Sequence, residues 1–253
     1  MNVLLVGCGR MGGALAQRWQ ALKICRQLVI VDPVTSSKEI PVGFKPQVIV
    51  FAVKPQILGD MIGDYRSFAA EGALVVSIVT GKLVTFFEKH LGAGAKIIRS
   101  MPNTPAAIGK GITVATANRN VSAVEKEQAA ALLGAVGEVL WVDKESLLDP
   151  VTALSGSGPA YVFLLIEAMA KAGIHIGLDP AMAEKLARQT VIGSAALAEA
   201  SPDVSAAKLR ENVTSPNGTT QAALDVLMRS SGLQELFNQA LAAAAKRAEE
   251  LSG

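Results

Sequence analysis

Apolar and polar positions follow two rhythms along this chain, and the change falls near residue 143. Before it, short β-branched runs alternate with stretches whose apolar residues recur at helical spacing. The runs predict strands at Val3–Val6, Leu28–Val31, Val48–Val53, Leu74–Val79, Lys96–Arg99, Ile112–Ala115 and Val139–Val142. Helical spacing fills the intervals at Gly12–Leu22, Gln56–Phe68, Val84–His90 and Val124–Leu133. Ser122 and Glu125 form a capping box that opens the last of these. Strand alternating with helix predicts an α/β fold with a mostly parallel, doubly wound sheet over residues 1–143.

From Lys144 onward the strand rhythm disappears, and residues 144–253 read as an all-helical second domain. Asp179-Pro180 supplies an N-cap and a first-turn proline for a helix reaching about Ala200. A proline-marked turn follows at Ser201-Pro202-Asp203, then helices over Ser205–Asn212, Thr220–Met228 and Leu233–Leu251. Ser155-Gly-Ser-Gly-Pro-Ala-Tyr161 breaks the first helical run and predicts a bend. One connection in the first half is short: the fifteen residues 33–47, with Pro33, Pro41 and Pro46, separate two strands. Helix, strand and second helix would need roughly twice the ten or more residues of one crossover. One strand or helix is therefore expected to be absent there.

Composition narrows the setting. With 253 residues, 50% of them apolar, the chain can bury one large core or two modest ones. The longest apolar run, Pro159–Ile166, ends at Glu167, short of a membrane span. The N-terminus opens straight into Val3–Val6 without a basic leader. These features predict a soluble, cytoplasmic protein with no membrane partner. A net charge of +2 without a basic cluster argues against nucleic acid. Cys8 and Cys25 lack metal-ligand spacing and suit a reducing compartment, and no other cluster has that spacing, so no metal is expected. Surplus apolar surface on the C-terminal helices predicts a homo-oligomer, a dimer or higher, joined through them. Ala168, Ala170, Ala172, Ala195 and Ala196 permit close helix–helix approach.

Gly7-x-Gly9-x-x-Gly12 follows an apolar strand and opens a helix, the setting a dinucleotide-binding fingerprint requires. The first glycine makes the turn, the second lets backbone approach a pyrophosphate, and the third lets helix pack on strand. With Asp32 twenty residues past Gly12, the sheet domain reads as Rossmann-type, abbreviated after its second strand. The expected cofactor is NADH or NADPH, held by the loop of Gly7, Cys8, Gly9, Arg10, Met11 and Gly12. Asp32 can accept hydrogen bonds from adenine-ribose hydroxyls and repels a 2′-phosphate, which favours NADH. Thr35, Ser36, Ser37 and Lys38 follow closely and could bind that phosphate instead. Val53, Lys54 and Pro55 lie at the carboxyl end of the third strand, the edge where ligands bind in open α/β sheets. Lys54 also fits a solvated loop position. His90 and His175 fall near helix ends and read as dipole partners or surface residues.

Val213-Thr-Ser-Pro-Asn-Gly-Thr-Thr220 is a tight polar turn inside an Ala- and Leu-rich helical stretch. Pro216 fixes one φ angle, Asn217-Gly218 tolerate left-handed conformations, and Thr219 or Thr220 can cap the helix that follows. Such a turn directs backbone N–H groups and hydroxyls at one point, at the positive end of a helix dipole. That is a receptor for a small carboxylate, although an ordinary helix–helix joint uses the same residues.

This turn, with Val6-Gly-Cys-Gly-Arg-Met-Gly12, Ala52-Val-Lys-Pro-Gln56 and Leu154-Ser-Gly-Ser-Gly-Pro-Ala-Tyr161, resembles the motifs of the pyrroline-5-carboxylate reductases, in the same order. The likeness covers nearly the whole chain and is weakest over residues 33–47. The family's turn usually reads Ser-Pro-Gly-Gly-Thr-Thr, so Asn217 departs from it, but asparagine is the next-best residue for a positive φ.

The resemblance implies hydride transfer from NAD(P)H to the C=N bond of 1-pyrroline-5-carboxylate, giving L-proline. The substrate's carboxylate suits Ser215, Gly218, Thr219 and Thr220. Thr220 is the candidate for the ring nitrogen, donating a proton or relaying one from water. By resemblance Glu145 borders the substrate, Asn212 lies on the cofactor side, and Thr80, Met101, Pro102 and Asn103 flank the nicotinamide. Residues 144–253 then form a substrate and oligomerisation domain. Glu145 and Asn212 equally fit solvated helix surface, and Thr220 fits a helix cap. Two other readings share the layout. A 3-hydroxyacid dehydrogenase would want a helix lysine such as Lys171 or Lys185, and a non-catalytic dinucleotide-sensing module would need no polar turn.

Overall fold

The computed structural model describes residues 1–32 and 39–252. Among these, β1 (Asn2–Val6), β2 (Gln27–Val31), β3 (Val48–Phe51), β4 (Leu74–Ser77), β5 (Lys96–Met101), β6 (Gly111–Ala117) and β7 (Gly137–Trp141) form one sheet in the order β2-β1-β3-β4-β5-β6-β7. Each coincides with an expected run to within a few residues. Neighbouring strands are parallel except β5 and β6, where Arg99 pairs with Thr116 in an antiparallel register.

The central strands β1, β3, β4 and β5 read as mostly apolar runs because both sheet faces are covered there. Successive residues point to opposite faces, so Leu4, Val6, Ile49, Phe51, Val75 and Ile97 enter one core while Val3, Leu5, Val48, Val50, Leu74, Val76 and Ile98 enter the other. On the second face lie α1 (Arg10–Ala21), through Leu15 and Trp19, and α5 (Ala123–Gly134), through Leu132 and Leu133. The Trp19 indole N–H donates to the Leu132 carbonyl at 2.8 Å and ties these helices together. On the first face lie α2 (Pro55–Met61), α3 (Arg66–Ala70) and α4 (Val84–Leu91), through Leu58, Ala69 and Phe87. The capping box at the start of α5 forms in both directions between Ser122 and Glu125.

The abbreviated connection has a clear topological consequence. Among the described residues β2 is an edge strand, whereas a full course of the order 3-2-1-4-5-6 would place another strand outside it. Residues 39–47 carry turns only, and Ile40 and Phe44 fold back into the first-face core. Thr35, Ser36, Ser37 and Lys38 lie outside the described residues.

After β7 come α6 (Leu148–Val151), a wide π-type turn at Thr152–Gly156, α7 (Gly158–His175), α8 (Pro180–Glu199), α9 (Ala206–Asn212), α10 (Thr219–Leu227) and α11 (Leu233–Ser252). The compact units divide at Pro159/Ala160, with residues 243–253 belonging to the first unit, where the sequence pattern set a border at 143/144. The strand signal does end at 143, but Leu148 is fully buried with Met101 and Val114 in a sheet-side cluster. Within the second unit, the Asp179 side chain caps α8 by accepting from the Met182 N–H at 3.1 Å, with Pro180 in the first turn. Gly173 and Ala183 bring α7 and α8 close, since a Cβ on the glycine would lie 3.3 Å from that of Ala183. Much apolar surface stays uncovered on these helices, including Phe163, Leu164, Ile176, Leu197 and Leu236.

Candidate active site

The glycine loop is built as the fingerprint requires. Gly7 has φ +96°, and a Cβ there would lie 2.7 Å from the Ala52 carbonyl, so only glycine lets β1 turn beside β3. Gly12 has no room for a side chain against the Gly7 carbonyl, which draws α1 onto the strand. Gly9 is different: a Cβ there would meet nothing within 4 Å. It is the N-cap of α1 and supplies no side chain to it. The first N–H groups of α1, at Arg10 and Met11, therefore border open space at the positive end of the helix dipole. This cradle fits the pyrophosphate of a dinucleotide.

Asp32 follows β2 directly and is 8% exposed. Its Oδ2 accepts the Cys8 N–H at 2.9 Å, which binds the glycine loop to the end of the second strand. Val53, Lys54 and Pro55 follow β3, with Lys54 exposed in an extended N-cap conformation and Pro55 opening α2. Thr80 follows β4, and Pro102 and Asn103 follow β5. All of these sit at the carboxyl edge of the parallel strands. The chain leaves β1 for β2 on one side and for β3 on the other, which makes β1/β3 the switch point where such sheets bind ligands.

Asn103 has a structural task at this edge. Its Nδ2 donates to the Ser155 carbonyl at 3.2 Å, and its Oδ1 accepts the Ile112 N–H at 3.0 Å. Ser155 lies in the π-type turn, where the Ser157 N–H reaches back to the Thr152 carbonyl at 2.8 Å. The expected bend is thus a widened turn, a feature that recurs at functional sites. Glu145 is engaged as well: its Oε1 accepts the Val84 N–H at 2.8 Å and the Arg99 guanidinium at 3.0 Å.

Arg99 was not anticipated. It is 1% exposed, its Nη2 lies 3.8 Å from Asp149, and its Nε has no hydrogen-bond partner among the described residues. The signal was present in Ile97-Ile98-Arg99-Ser100-Met101, since a lone arginine in a strand buried on both faces demands carboxylates.

The polar turn lies in the other compact unit. Asn217 takes φ +57°, whereas Gly218 is extended at φ −85°. A Cβ on Gly218 would lie 2.6 Å from the Ser215 Oγ and 3.1 Å from the Ser215 carbonyl oxygen. The Gly218 N–H donates to the Ser215 carbonyl at 3.1 Å and closes the turn. The expected threonine cap is corrected here. Gly218 is the N-cap of α10, no side chain caps the helix, and Thr219 and Thr220 occupy its first turn. The loop is too tight to bring either hydroxyl before the helix, so the N–H groups of Thr219, Thr220 and Gln221 have no side-chain cap. Thr220 is half-buried, while Ser215, Thr219 and Asn212 are exposed.

The structure thus gathers two sets. Gly7, Cys8, Gly9, Arg10, Met11, Gly12, Asp32, Val53, Lys54, Pro55, Thr80, Pro102, Asn103 and Glu145 belong to one compact unit; Asn212, Ser215, Gly218, Thr219 and Thr220 belong to the other. His90 lies in the last turn of α4, its Nδ1 2.8 Å from the Phe86 carbonyl oxygen.

The likeness to known proteins extends over both compact units. Residues 145–251 match the family model for pyrroline-5-carboxylate reductase dimerisation. A pyrroline-5-carboxylate reductase of Pseudomonas aeruginosa is 42% identical over 92% of this chain and 84% of its own length. The solved pyrroline-5-carboxylate reductase of Coxiella burnetii superposes with a TM-score of 0.91 at 34% identity, covering 100% of this chain and 98% of that one. A Plasmodium falciparum pyrroline carboxylate reductase with NADP bound gives 0.83 at 29% identity, over 100% and 98% of the two chains.

Proposed function

The chain belongs to the pyrroline-5-carboxylate reductase family, and from that membership we infer that it reduces the C=N bond of 1-pyrroline-5-carboxylate to L-proline. It is an NAD(P)H-dependent oxidoreductase of proline biosynthesis, and we assign it to the cytoplasm. The nicotinamide supplies the hydride; the protein's residues bind, orient and exclude water. Gly7 to Gly12 receive the pyrophosphate and Asp32 the adenine ribose, an arrangement that favours NADH over NADPH. Lys54, Pro55, Thr80, Pro102 and Asn103 border the rest of the cofactor.

The observation that carries the substrate assignment is the first turn of α10. Gly218 leaves it without a side-chain cap, so the N–H groups of Thr219, Thr220 and Gln221 can receive the substrate carboxylate with the Ser215 hydroxyl. Thr220 then stands within the same turn to hydrogen-bond the ring nitrogen and donate or relay its proton. A threonine hydroxyl is a poor acid, so rate comes chiefly from positioning an already electrophilic protonated imine. By family likeness we assign Glu145 to the substrate and Asn212 to the cofactor; Glu145 also accepts the Val84 N–H and the Arg99 guanidinium.

By length and composition alone, the helical stretch Glu145–His175 could cross a membrane. Its exposed Phe163, Leu164 and Leu165 are better accounted for by a second copy of this chain, because the dimerisation family model covers the stretch. Steady-state oxidation of NADH and NADPH with and without pyrroline-5-carboxylate tests the reading. Thr220→Ala should lose turnover and keep cofactor binding. Wild-type protein that binds NADH yet turns over no cyclic imine would be a sensor, and one that oxidises 3-hydroxy acids instead would be a dehydrogenase.

A further inference from the structure

The loop after β4 is fastened at both ends. The Val79 N–H donates to the Ser77 hydroxyl at 3.1 Å, and the Ser77 carbonyl accepts the Ser100 hydroxyl at 3.0 Å. Beyond the loop, the Val84 N–H donates to Glu145 at 2.8 Å. Between these anchors stands Gly81, buried and left-handed at φ +72°. Its open side faces backbone and not a flexible side chain. A Cβ there would lie 2.6 Å from the Leu251 carbonyl oxygen and 3.2 Å from the carbonyl carbon. Leu251 is in the last turn of α11. Three residues earlier, on the same helix face, Ala248 is 6% exposed, while Arg247 and Glu249 are exposed. The helix end therefore docks by one face, and the Leu251 carbonyl closes over Gly81.

We propose that the last turn of α11 positions the cofactor-facing loop at the carboxyl end of β4, with Gly81 against the Leu251 backbone as the contact that sets it. The proposal rests on the reading of Thr80 as a cofactor contact. A left-handed glycine packed against a helix backbone has little freedom, because no side chain can enter the space between them. Thr80, one residue earlier, is thereby held at a fixed height on the sheet edge. A loop braced in this way loses less freedom when the dinucleotide binds, so the brace contributes affinity without touching the ligand. Gly81 and Leu251 are positioning residues, not catalytic ones.

The test is a two-site cycle in the full chain: Gly81→Ala, Glu249→Pro and the double variant, read by NADH titration and by KM for NADH and for the imino acid. Proline at exposed Glu249 removes a helical N–H, crowds the preceding turn and disfavours the helical conformation of Ala248, loosening the end of α11. Each single variant should weaken NADH binding about tenfold and leave the imino-acid KM within about twofold. The double variant should bind no more weakly than the weaker single, because the added methyl then meets no carbonyl. Multiplying effects, an unchanged NADH affinity, or a parallel rise of both KM values with lost thermal stability would overturn the proposal. Should Gly81→Ala fail to fold, Glu249→Pro alone and the double variant decide the matter by the same two readouts. Wild-type protein that binds neither NADH nor NADPH removes the reading of the sheet edge and this proposal with it. Wild-type binding with unchanged variants removes the proposal alone.

Discussion

Arg99 reaches the Glu145 carboxylate at 3.0 Å from a position 1% exposed, and the same carboxylate oxygen holds the N–H of Val84. One buried cation thus joins β5, the start of α4 and the segment that leads into the helical half. Removing a single partner of such a group leaves the other charge unpaired. Arg99→Met should therefore destabilise the protein by about 3–5 kcal/mol. Urea unfolding measures this, and a loss below about 1 kcal/mol would mean that the pair contributes little.

The three glycines of the fingerprint should fail in different ways. Gly12 has no room for a methyl group against the Gly7 carbonyl, so Gly12→Ala should impair folding itself. Gly9 faces open space, so Gly9→Ala should fold with an unchanged Tm yet bind NADH at least about tenfold more weakly, because the methyl enters the cradle. Thermal unfolding and NADH titration on the same samples separate the two. Equal NADH affinity of Gly9→Ala and wild type would move the pyrophosphate elsewhere.

Asp32 combines two tasks that one substitution can divide. Asp32→Asn keeps an oxygen to accept the Cys8 N–H, bonded at 2.9 Å in the wild type, but removes the negative charge. The ratio of kcat/KM for NADPH to that for NADH should rise about tenfold, since the repulsion of a 2′-phosphate disappears. An unchanged ratio would transfer the choice of cofactor to other residues.

The sequence made the central strands legible because burial on both faces writes them as continuous apolar runs, from Val3–Val6 to Leu74–Val79, whereas the edge strand β7 leaves Leu140 and Trp141 exposed. Caps were legible where a side chain does the capping, at Ser122 and Asp179. They were misread where backbone shape decides. In Asn217-Gly218 either residue can take positive φ, and Asn217 is the one that does. The π-type turn also escaped, because it depends on Thr152 and Ser155 hydroxyls bonding the Leu148 and Val151 carbonyls and on Asn103, about fifty residues away. Arg99 and Glu145 are separated by 46 positions, a pairing that periodicity does not encode.

Asn217 stands at φ +57° where the family's turn usually has glycine. Asn217→Gly should keep both stability and turnover, because glycine adopts this conformation freely. Asn217→Val should cost about 1–2 kcal/mol, since a β-branched residue is strained at positive φ. If the turn presents the N–H groups of α10 to substrate, the valine variant should also raise the imino-acid KM while leaving the NADH KM alone. A parallel rise of both would reduce the turn to a structural joint.

The amino end of α5 offers a pH-dependent contrast. Burial works to raise the Glu125 carboxyl, but hydrogen bonds from Lys96 and Ser122, with the Lys96 charge, outweigh it and hold the carboxyl below its ordinary 4.5. A carboxyl depressed on folding contributes stability that is fully present above its unfolded value and lost as pH falls through the folded one. Glu125→Gln should therefore be less stable than wild type at neutral pH, by about 1 kcal/mol or less because the ion pair is partly exposed. The difference should shrink below about pH 4.5 and vanish under more acidic conditions, where the wild-type carboxyl is itself neutral. Denaturant unfolding of both proteins across that range measures it. A difference constant with pH would assign the whole effect to lost packing and none to the charge.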